Sequence, residues 1–364
     1  MLRKILILTS KTGGGHISLA EALRDRLADK YAIEMIDPQS RFFHWHYRIV
    51  SRYALWLWAV EFRLSDTPRR ALFAHRLFTL IVSKALSALL DRVQPDLIIT
   101  TYPFLTYEVM RVLRRKRSTI PFVMLFADPN GVHASWLTAH DAAATLAPTR
   151  ETYTQALSFK FPPERVHQAG WPVRGQFYRM QPEQRSALFA QMGLDCHRFT
   201  VFLQGGGEGA AKFGRTVEQV LAIPQIQVIL AAGTNQTLLT RFGNRRLSNI
   251  FVLPFTKEIA PYMAAADVIM GKAGPNMLFE SVTLGKPFIA TAYIPGQEEA
   301  NLEFIRRHKL GWVALEPAQQ VALLEKLVAA PQELQGMDAS VKVYREWNNQ
   351  QADTIGPVIE GLLE

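Results

Sequence analysis

The chain has 364 residues, of which 48% are apolar and 20% charged, with a formal net charge of +9 and a single cysteine. That length exceeds what one hydrophobic core usually supports, so two domains are expected, and the apolar content is enough for two ordinary cores. Cys196 alone excludes an intramolecular disulfide and any multi-cysteine metal site, and indicates a reducing compartment.

The first predicted elements are a strand, a glycine loop and a helix. Residues 5–8 form a short apolar run of the buried-strand type, and leucines at 19, 23 and 27 mark one face of a helix. Gly14 and Gly15 lie at the joint, where the backbone can approach a ligand, although the loop lacks the G-x-G-x-x-G spacing of a dinucleotide fold. The apolar start is too short for a signal peptide.

His16 stands where this helix should begin. The positive end of a helix disfavours the protonated imidazole, so the side chain is predicted to be neutral and able to accept a proton. A helix-capping or packing histidine is the alternative.

An aromatic and basic segment follows at residues 41–63. Residues 1–130 carry 20 Lys plus Arg against 11 Asp plus Glu, whereas residues 131–364 carry 21 of each. At 100° per residue, a stripe of about 60° holds the following basic residues, close to Trp45 and Trp56: Arg41, Arg48, Arg52 and Arg63. Such a face suits an anionic membrane surface, and residues 69–78 and 114–117 add to the attraction. Alternatively, the aromatics pack in the core. Nucleic acid is not expected, because no binding module accompanies the charge.

Later strands end in polar or glycine-rich turns. Residues 96–100 and 122–126 are predicted strands, and a loop after the second carries Asp128, His133 and Trp136. Further strands are predicted at residues 201–203, 227–231, 268–270 and 287–290. Gly206 and Gly207 follow the first of these, and Gly233 and Asn235 the second. Alternation of strands with helices predicts an α/β protein with parallel sheets, in which each turn also has a purely structural explanation.

The segment 267–301 is the most informative. Gly271 and Gly274 let the backbone turn after a short strand, and Pro275 suits a first helical position. The amides and dipole of such a helix start attract a diphosphate. Glu280, one turn later, can accept both hydroxyls of a ribose, although any solvated helix also carries glutamate.

This segment resembles the donor-binding region of the GT-B glycosyltransferases that include monogalactosyldiacylglycerol synthase, processive diacylglycerol glucosyltransferase and, more distantly, the peptidoglycan N-acetylglucosaminyltransferase. The run SKTGGGH resembles their acceptor-side loop. The resemblance implies two Rossmann-like doubly wound domains facing a central cleft: residues 1–170 for the acceptor and membrane, and residues 171–339 for the UDP-sugar. A last helix, about 340–364, is expected to pack back on the first domain.

Residue roles follow from the resemblance. His16 is expected beside the scissile bond as base, with Asp128 orienting it or acting as base itself. The acceptor and membrane group is Gly14, Gly15, His133, Trp136, Trp45, Arg48, Arg52 and Trp56. The donor-binding group is Gly206, Gly207, Gly233, Asn235, Gly271, Lys272, Ala273, Gly274, Pro275, Asn276, Glu280, Gln297 and Glu298, in which Glu280 holds the ribose and the last two face the hexose.

The chain departs from the family pattern at four positions. Asn276 and Met277 replace the Gly-Thr usual in plant members, and Ala127 and Ala134 stand where threonine and proline are common. A hydroxyl contact to phosphate is therefore expected to be replaced or lost.

The resulting expectation is an inverting enzyme that moves a hexose from a UDP-sugar to a lipid, diacylglycerol above all, while peripherally bound to the membrane in the cytoplasm. No metal or other cofactor is expected, because the sequence has no Asp-x-Asp. No run of about 18 uncharged apolar residues predicts a spanning helix. The alternatives are a polyprenyl-linked acceptor, a UDP-sugar epimerase, and a membrane-associated binding protein without catalysis.

Overall fold

The computed structural model describes residues 2–11, 14–39, 55–179, 185–205, 210–243 and 247–364. The chain divides into two compact units. The first comprises Met1–Gly175, Pro295–Ala300 and Trp347–Glu364, and the second comprises Gln176–Ile294 and Asn301–Glu346. The segment Pro295–Ala300, which carries Gln297 and Glu298, thus belongs to the first unit, although the sequence placed both residues in the donor domain.

The first unit contains a parallel sheet of six strands in the order β2-β1-β3-β4-β5-β6. The strands are β1 Lys4–Leu8, β2 Ala32–Ile36, β3 Leu97–Thr100, β4 Phe122–Leu125, β5 Ala144–Ala147 and β6 Val166–Gln168. Strand order reverses between β1 and β3, where Ile5 pairs with Leu97.

The second unit repeats this plan with the order β12-β11-β10-β7-β8-β9. The strands are β7 Phe199–Gln204, β8 Ile226–Gly233, β9 Ile250–Pro254, β10 Val268–Lys272, β11 Phe288–Ala292 and β12 Gly311–Val313. Here the order reverses between β7 and β10. Ligands of doubly wound sheets bind beyond the carboxyl ends of the strands at such reversals, so each unit has one position where a site is expected.

Helices connect the strands. Those described are α1 Gly15–Leu27, α2 Leu55–Ser65, α3 Pro68–Val93, α4 Thr106–Lys116, α5 Arg150–Ser158, α6 Arg185–Met192, α7 Ala210–Leu221, α8 Gln236–Gly243, α9 Ala260–Ala265, α10 Pro275–Thr283, α11 Glu299–Arg307, α12 Pro317–Ala329, α13 Pro331–Ala352 and α14 Ile355–Gly361. Two 3-10 helices, Pro103–Leu105 and Ala134–Thr138, matter for the site.

The α/β prediction is confirmed. All seven predicted strands are present, because long apolar runs are buried on both faces of a parallel sheet. The five that sequence analysis missed are β2, β5, β6, β9 and β12. Most are short or lie at or next to a sheet edge, where a strongly apolar run is not needed.

Helix α3 is apolar on two faces. Ala71, His75, Phe78 and Val82 are buried, whereas the outer face exposes other large side chains. Within the residues that the structure describes, Pro68–Val93 is the one helix whose length and composition would allow it to cross a membrane, with one third of its apolar window buried. A membrane-spanning helix was not predicted here from the sequence, because that prediction required an uninterrupted run of about 18 uncharged apolar residues.

The end of α13 is fastened to the first unit through Asn348. This side chain is 0% exposed, accepts from Trp171 N at 2.7 Å and donates to Trp171 O at 3.1 Å. Gly170 has φ +56°, and a Cβ there would lie 2.3 Å from Asn348 O, so only glycine allows this approach.

Replacing Asn348 by alanine is expected to lower the free energy of unfolding by about 2 kcal/mol or more, because two buried backbone groups of Trp171 lose their partners. Thermal and denaturant unfolding followed by circular dichroism measures this loss. Asn349→Ala, next along the helix, is the matched control, since its Oδ1 has no hydrogen-bond partner among the described residues. Equal loss in both variants contradicts the assignment.

Candidate functional site

In the first unit, the predicted histidine lies at the strand-order reversal. His16 follows β1 at the start of α1, and Thr101 follows the neighbouring strand β3. The two are joined twice: His16 Nδ1 lies 2.6 Å from Thr101 O, and Thr101 Oγ1 donates to His16 O at 3.1 Å. The polar group that sequence analysis placed here is therefore at the position where a doubly wound sheet binds its ligand.

The contact with Thr101 decides which nitrogen of His16 is basic. A carbonyl oxygen only accepts, so Nδ1 carries the hydrogen and the lone pair is on Nε2. Nε2 makes no hydrogen bond within the described part of the chain. Burial lowers the pKa of His16 to about 4, so the ring is neutral at pH 7. The ring packs nearly perpendicular to that of Tyr102, with ring centroids 5.0 Å apart.

Asp128 follows β4 and is held by the loop that comes after it. Its carboxyl group accepts hydrogen bonds from the Trp136 side chain and from the backbone of His133. Burial, together with the nearby charges of Asp66 and Glu298, raises the pKa of Asp128 to about 7. A carboxyl group with this pKa exchanges protons near neutral pH, which is typical of functional sites.

One predicted role of Asp128 needs correction. The carbonyl of Thr101, and not this aspartate, orients the His16 ring. The sequence missed Thr101 and Tyr102. Both residues follow a buried strand that pairs with β1. That position could have identified them, but the pairing is known only once the strand order of the sheet is known.

His133 has the opposite arrangement of ring protons. Its Nδ1 accepts from Ser135 N, so the hydrogen is on Nε2, which lies 3.1 Å from Phe62 O. Both nitrogens thus have protein partners, and the buried ring supports the loop rather than offering a base. Trp136 is likewise only 1% exposed, and its side chain donates a hydrogen bond to the Asp128 carboxyl.

Replacing Asp128 by asparagine is expected to raise the melting temperature at pH 8, on the order of 5 °C, and to have no effect below pH 4. The pKa is raised to about 7 from 3.8, so the folded state loses stability as pH rises from about 4 to 7, and asparagine removes that loss. Thermal scans between pH 3.5 and 8.5 measure it, with the exposed Asp29→Asn as control. Parallel curves for Asp128→Asn and wild type would contradict the raised pKa.

In the second unit, the predicted donor residues 271–276 lie at the reversal between β7 and β10. A Cβ on Gly271 would meet Gln204 O at 2.6 Å, which explains the glycine at this close approach of two strand ends. Asn301 Nδ2 donates to Ala273 O at 2.8 Å and fixes the loop. Gly274 is the N-cap residue of α10 and has no side chain to cap it.

Helix α10 begins with Pro275, and its first internal hydrogen bond runs from Leu278 N to Gly274 O. The positive end of the helix dipole therefore points beyond the carboxyl edge of the sheet, where an anion is favoured. Glu280 lies on the same helix and is only 7% exposed. Lys272 and Asn276 flank the helix start, as the sequence predicts.

The remaining predicted donor residues have different positions. Gly233 ends β8 with φ +57°, and Asn235 accepts from Leu238 N at 3.2 Å, which caps α8. Gln297 and Glu298 belong to the first unit, where Asn130 Nδ2 donates to Ala300 O at 2.8 Å and Glu298 lies close enough to Asp128 to influence its pKa.

Several predicted residues lie outside the described residues: Trp45, Arg48, Arg52, Gly206 and Gly207. Gly14 and Gly15 are described, at the N-cap and first position of α1. Trp56 is described on α2 and is 69% exposed. Within the described ranges, no group of three or more His, Cys, Asp or Glu side chains is arranged to hold a metal ion.

Two family models match the chain. One is described as monogalactosyldiacylglycerol (MGDG) synthase and matches residues 16–173, and the other as the glycosyltransferase family 28 C-terminal domain and matches residues 200–344.

Curated relatives agree with these matches. The chain is 28% identical over 350 residues to a probable monogalactosyldiacylglycerol synthase 2, chloroplastic, of Oryza sativa subsp. indica, covering 88% of this chain and 73% of that protein. It is 26% identical over 352 residues to monogalactosyldiacylglycerol synthase 3, chloroplastic, of Arabidopsis thaliana, covering 89% and 74%. Among solved structures, the calicheamicin glycosyltransferase CalG4 aligns with a TM-score of 0.66 at 15% identity over 100% of this chain and 98% of that one, which shows the shared fold.

Proposed function

Because the chain is a glycosyltransferase of the GT-B fold that resembles monogalactosyldiacylglycerol synthases, we propose that it transfers galactose from UDP-galactose to the free hydroxyl of diacylglycerol. The observation that carries the proposal is the neutral His16 whose Nδ1 is bound to Thr101 O, which leaves Nε2 as a proton acceptor at the strand-order reversal. The relatives' names support galactose and diacylglycerol in particular.

In the proposed reaction the acceptor hydroxyl gives its proton to His16 Nε2 as its oxygen attacks the anomeric carbon. The bond from that carbon to the diphosphate breaks, and UDP leaves with the electron pair from the opposite face, so the configuration inverts. As the ring gains a proton, the bond from Nδ1 to Thr101 O strengthens and stabilises the imidazolium. The start of α10 supplies the positive end of a dipole for the departing diphosphate.

Asp128 provides a second acidic or basic group in the same unit. With its pKa raised to about 7, the carboxyl is partly ionised at neutral pH, and as carboxylate it can accept a hydrogen bond from a hydroxyl of the acceptor or sugar. We assign it to substrate positioning, because no hydrogen bond or ion pair joins it to His16 in the described part of the chain.

The outer face of α2 and α3 supports action at a membrane surface. Large apolar side chains are exposed on both helices: Trp56, Val60, Leu64, Phe73, Leu77, Leu80 and Ile81. Phe73, Leu77, Leu80 and Ile81 are spaced so that they share one stripe of α3 about 100° wide. Three exposed basic residues lie beside or within that stripe and have no acidic partner among the described residues: Arg69, Arg76 and Lys84. Apolar insertion together with basic attraction favours an anionic bilayer.

Replacing Leu80 and Ile81 together by glutamine is expected to weaken binding to vesicles containing anionic lipid by about tenfold or more, because both side chains, 75% and 60% exposed, would no longer enter the bilayer. Vesicle co-sedimentation measures this. Val343→Gln, on α13, is an equally exposed apolar control. Unchanged binding of the double variant places the membrane contact elsewhere.

One assay tests the proposed function as a whole. The protein is incubated with vesicles of diacylglycerol and anionic phospholipid and, in separate reactions, with labelled UDP-galactose, UDP-glucose or UDP-N-acetylglucosamine. The expected product is monogalactosyldiacylglycerol with a β-anomeric sugar, identified by mass and by NMR. A glucolipid would correct the hexose, and isomerised UDP-sugar formed without lipid would replace the transferase with an epimerase. A parallel set of reactions replaces diacylglycerol by polyprenyl phosphate, and product formed only there would correct the acceptor.

A further inference from the structure

A buried acid and base pair connects two helices with the loop that holds Asp128. His75 on α3 and Glu108 on α4 are both 0% exposed, and His75 Nδ1 lies 2.9 Å from Glu108 Oε1. The other nitrogen, Nε2, lies 3.0 Å from the carbonyl oxygen of Ser135 in the 3-10 helix Ala134–Thr138. Neither residue was singled out by the sequence, and the proposed reaction does not use them.

The hydrogen-bonding requirements define the state of this pair. Ser135 O only accepts, so Nε2 of His75 must carry a hydrogen. A second hydrogen is shared between Nδ1 and Glu108 Oε1, either as an ion pair or as a neutral pair, and the net charge is zero in both cases. Glu108 Oε2 is buried and has no hydrogen-bond partner in the described part of the chain. Placing such a pair in a core is costly, which points to a role beyond packing.

The bond to Ser135 holds the two groups that bind Asp128. Ser135 lies between His133, whose backbone donates to the Asp128 carboxyl, and Trp136, whose side chain does so. Thr106 Oγ1 and Thr138 Oγ1 also donate to Ser135 O, at 3.3 and 3.1 Å. Of the donors to Ser135 O, His75 is the one that lies on α3, so its hydrogen bond connects this helix to the loop.

The His75 ring is also connected to His16 through a series of aromatic contacts. Its ring centroid lies 5.2 Å from that of Phe104, which is 6.0 Å from that of Tyr102. The Tyr102 ring in turn packs nearly perpendicular to the His16 ring, with centroids 5.0 Å apart. One side chain on α3 thus supports both residues to which the proposed function assigns chemistry. His75 lies on the opposite face of the helix from the exposed Phe73, Leu77, Leu80 and Ile81 stripe.

We propose that His75 is a positioning residue for the transfer reaction: by donating from Nε2 to Ser135 O, it fixes the loop that holds Asp128. This inference rests on the proposed function. It predicts that loss of that one bond lowers kcat without weakening donor binding, because the donor residues at β10 and α10 are in the other unit. A displacement of about 1 Å at a reacting group can cost up to about 100-fold in rate, so a tenfold loss is a conservative expectation.

Two substitutions of His75 separate its two hydrogen bonds. In His75→Asn, the amide replaces Nδ1 and keeps the contact with Glu108, while the donor to Ser135 is lost. In His75→Gln, the longer amide replaces Nε2 and keeps the donor to Ser135. The expected result is a kcat at least tenfold below wild type for His75→Asn, recovered in large part by His75→Gln, with the Kd of UDP unchanged in both.

Loss of stability is controlled separately. Leu89→Ala removes a buried side chain at the far end of α3, about 21 Å along the helix from His75, and is expected to lower the melting temperature without changing kcat per active site. Active sites are counted by UDP binding in a calorimeter. If His75→Asn and His75→Gln lose kcat equally, or if Leu89→Ala loses as much as His75→Asn, the positioning role is overturned. If the wild type itself transfers no sugar, the proposed function fails instead.

Discussion

Replacing His16 by alanine is expected to lower the rate of sugar transfer about 10³-fold and to leave the affinity for UDP unchanged. The variant removes Nε2, the only ring nitrogen of His16 without a partner in the described chain, and a positioned general base contributes about 10² to 10⁴ to the rate. The donor residues of the second unit are untouched. Steady-state kinetics and UDP calorimetry on the same preparation measure the two quantities.

The pH profile of the wild type adds a second criterion. The pKa of His16 is lowered to about 4, so the neutral base persists to low pH, and activity limited by this group is lost only as the pH falls through about 4. A loss of activity near pH 7 in the wild type, together with a transfer rate in Asp128→Asn as low as the rate expected for His16→Ala, would assign the base to Asp128 instead. His197→Ala, an exposed histidine in the second unit, is the control for the substitution itself. A His16→Ala enzyme with most of its turnover would falsify the assignment.

Replacing Glu280 by alanine is expected to raise the Kd of UDP about 10- to 100-fold. A carboxylate that accepts hydrogen bonds from the two ribose hydroxyls contributes about 1.5 to 3 kcal/mol, and every 1.4 kcal/mol corresponds to a tenfold change. The side chain is only 7% exposed and lies on α10, the helix whose start is assigned to the diphosphate. Calorimetric titration with UDP, and with UMP for comparison, measures the effect.

Two further variants sharpen this test. Glu280→Gln keeps one acceptor oxygen and loses the charge, so an intermediate Kd is expected. Glu325→Ala, an exposed glutamate on α12 of the same unit, is expected to bind UDP as the wild type does. A Kd for UDP that is the same in Glu280→Ala and in the wild type removes the ribose contact, and with it the main reason for placing the donor at α10.

The sequence predicted the local structure of the segment 267–301 well because the features that shape it are local. Gly271, Gly274 and Pro275 act through backbone conformation within a few residues, and the structure has the expected strand end and helix start at these positions. Gln297 and Glu298 were harder to place, because the family resemblance assigned them to the donor domain and no local pattern shows into which unit their stretch of chain folds. Their chain folds into the first unit, where Asn130 binds Ala300 from 170 residues away.

For the residues of the first unit, too, the sequence showed some features of the site and not others. The sequence identified His16, Asp128, His133 and Trp136 by residue type and position after predicted strands. It did not show that His16 has one ring nitrogen without a partner in the described chain, whereas both ring nitrogens of His133 have protein partners. This difference depends on Thr101 and Phe62, which lie 85 and 71 residues from their histidines. His75 and Glu108 gave no signal, since each is an ordinary residue of an amphipathic helix until the two helices pack together.

The sequence by itself determined the α/β class, seven of the twelve strands and the glycine turns, because hydrophobic periodicity and backbone preference act over short stretches of chain. The tertiary structure decided which nitrogen of His16 is basic, why the pKa of Asp128 is high, and which face of α3 remains outside. Those properties come from burial and from hydrogen-bond partners brought together by strand order, and no local pattern encodes them.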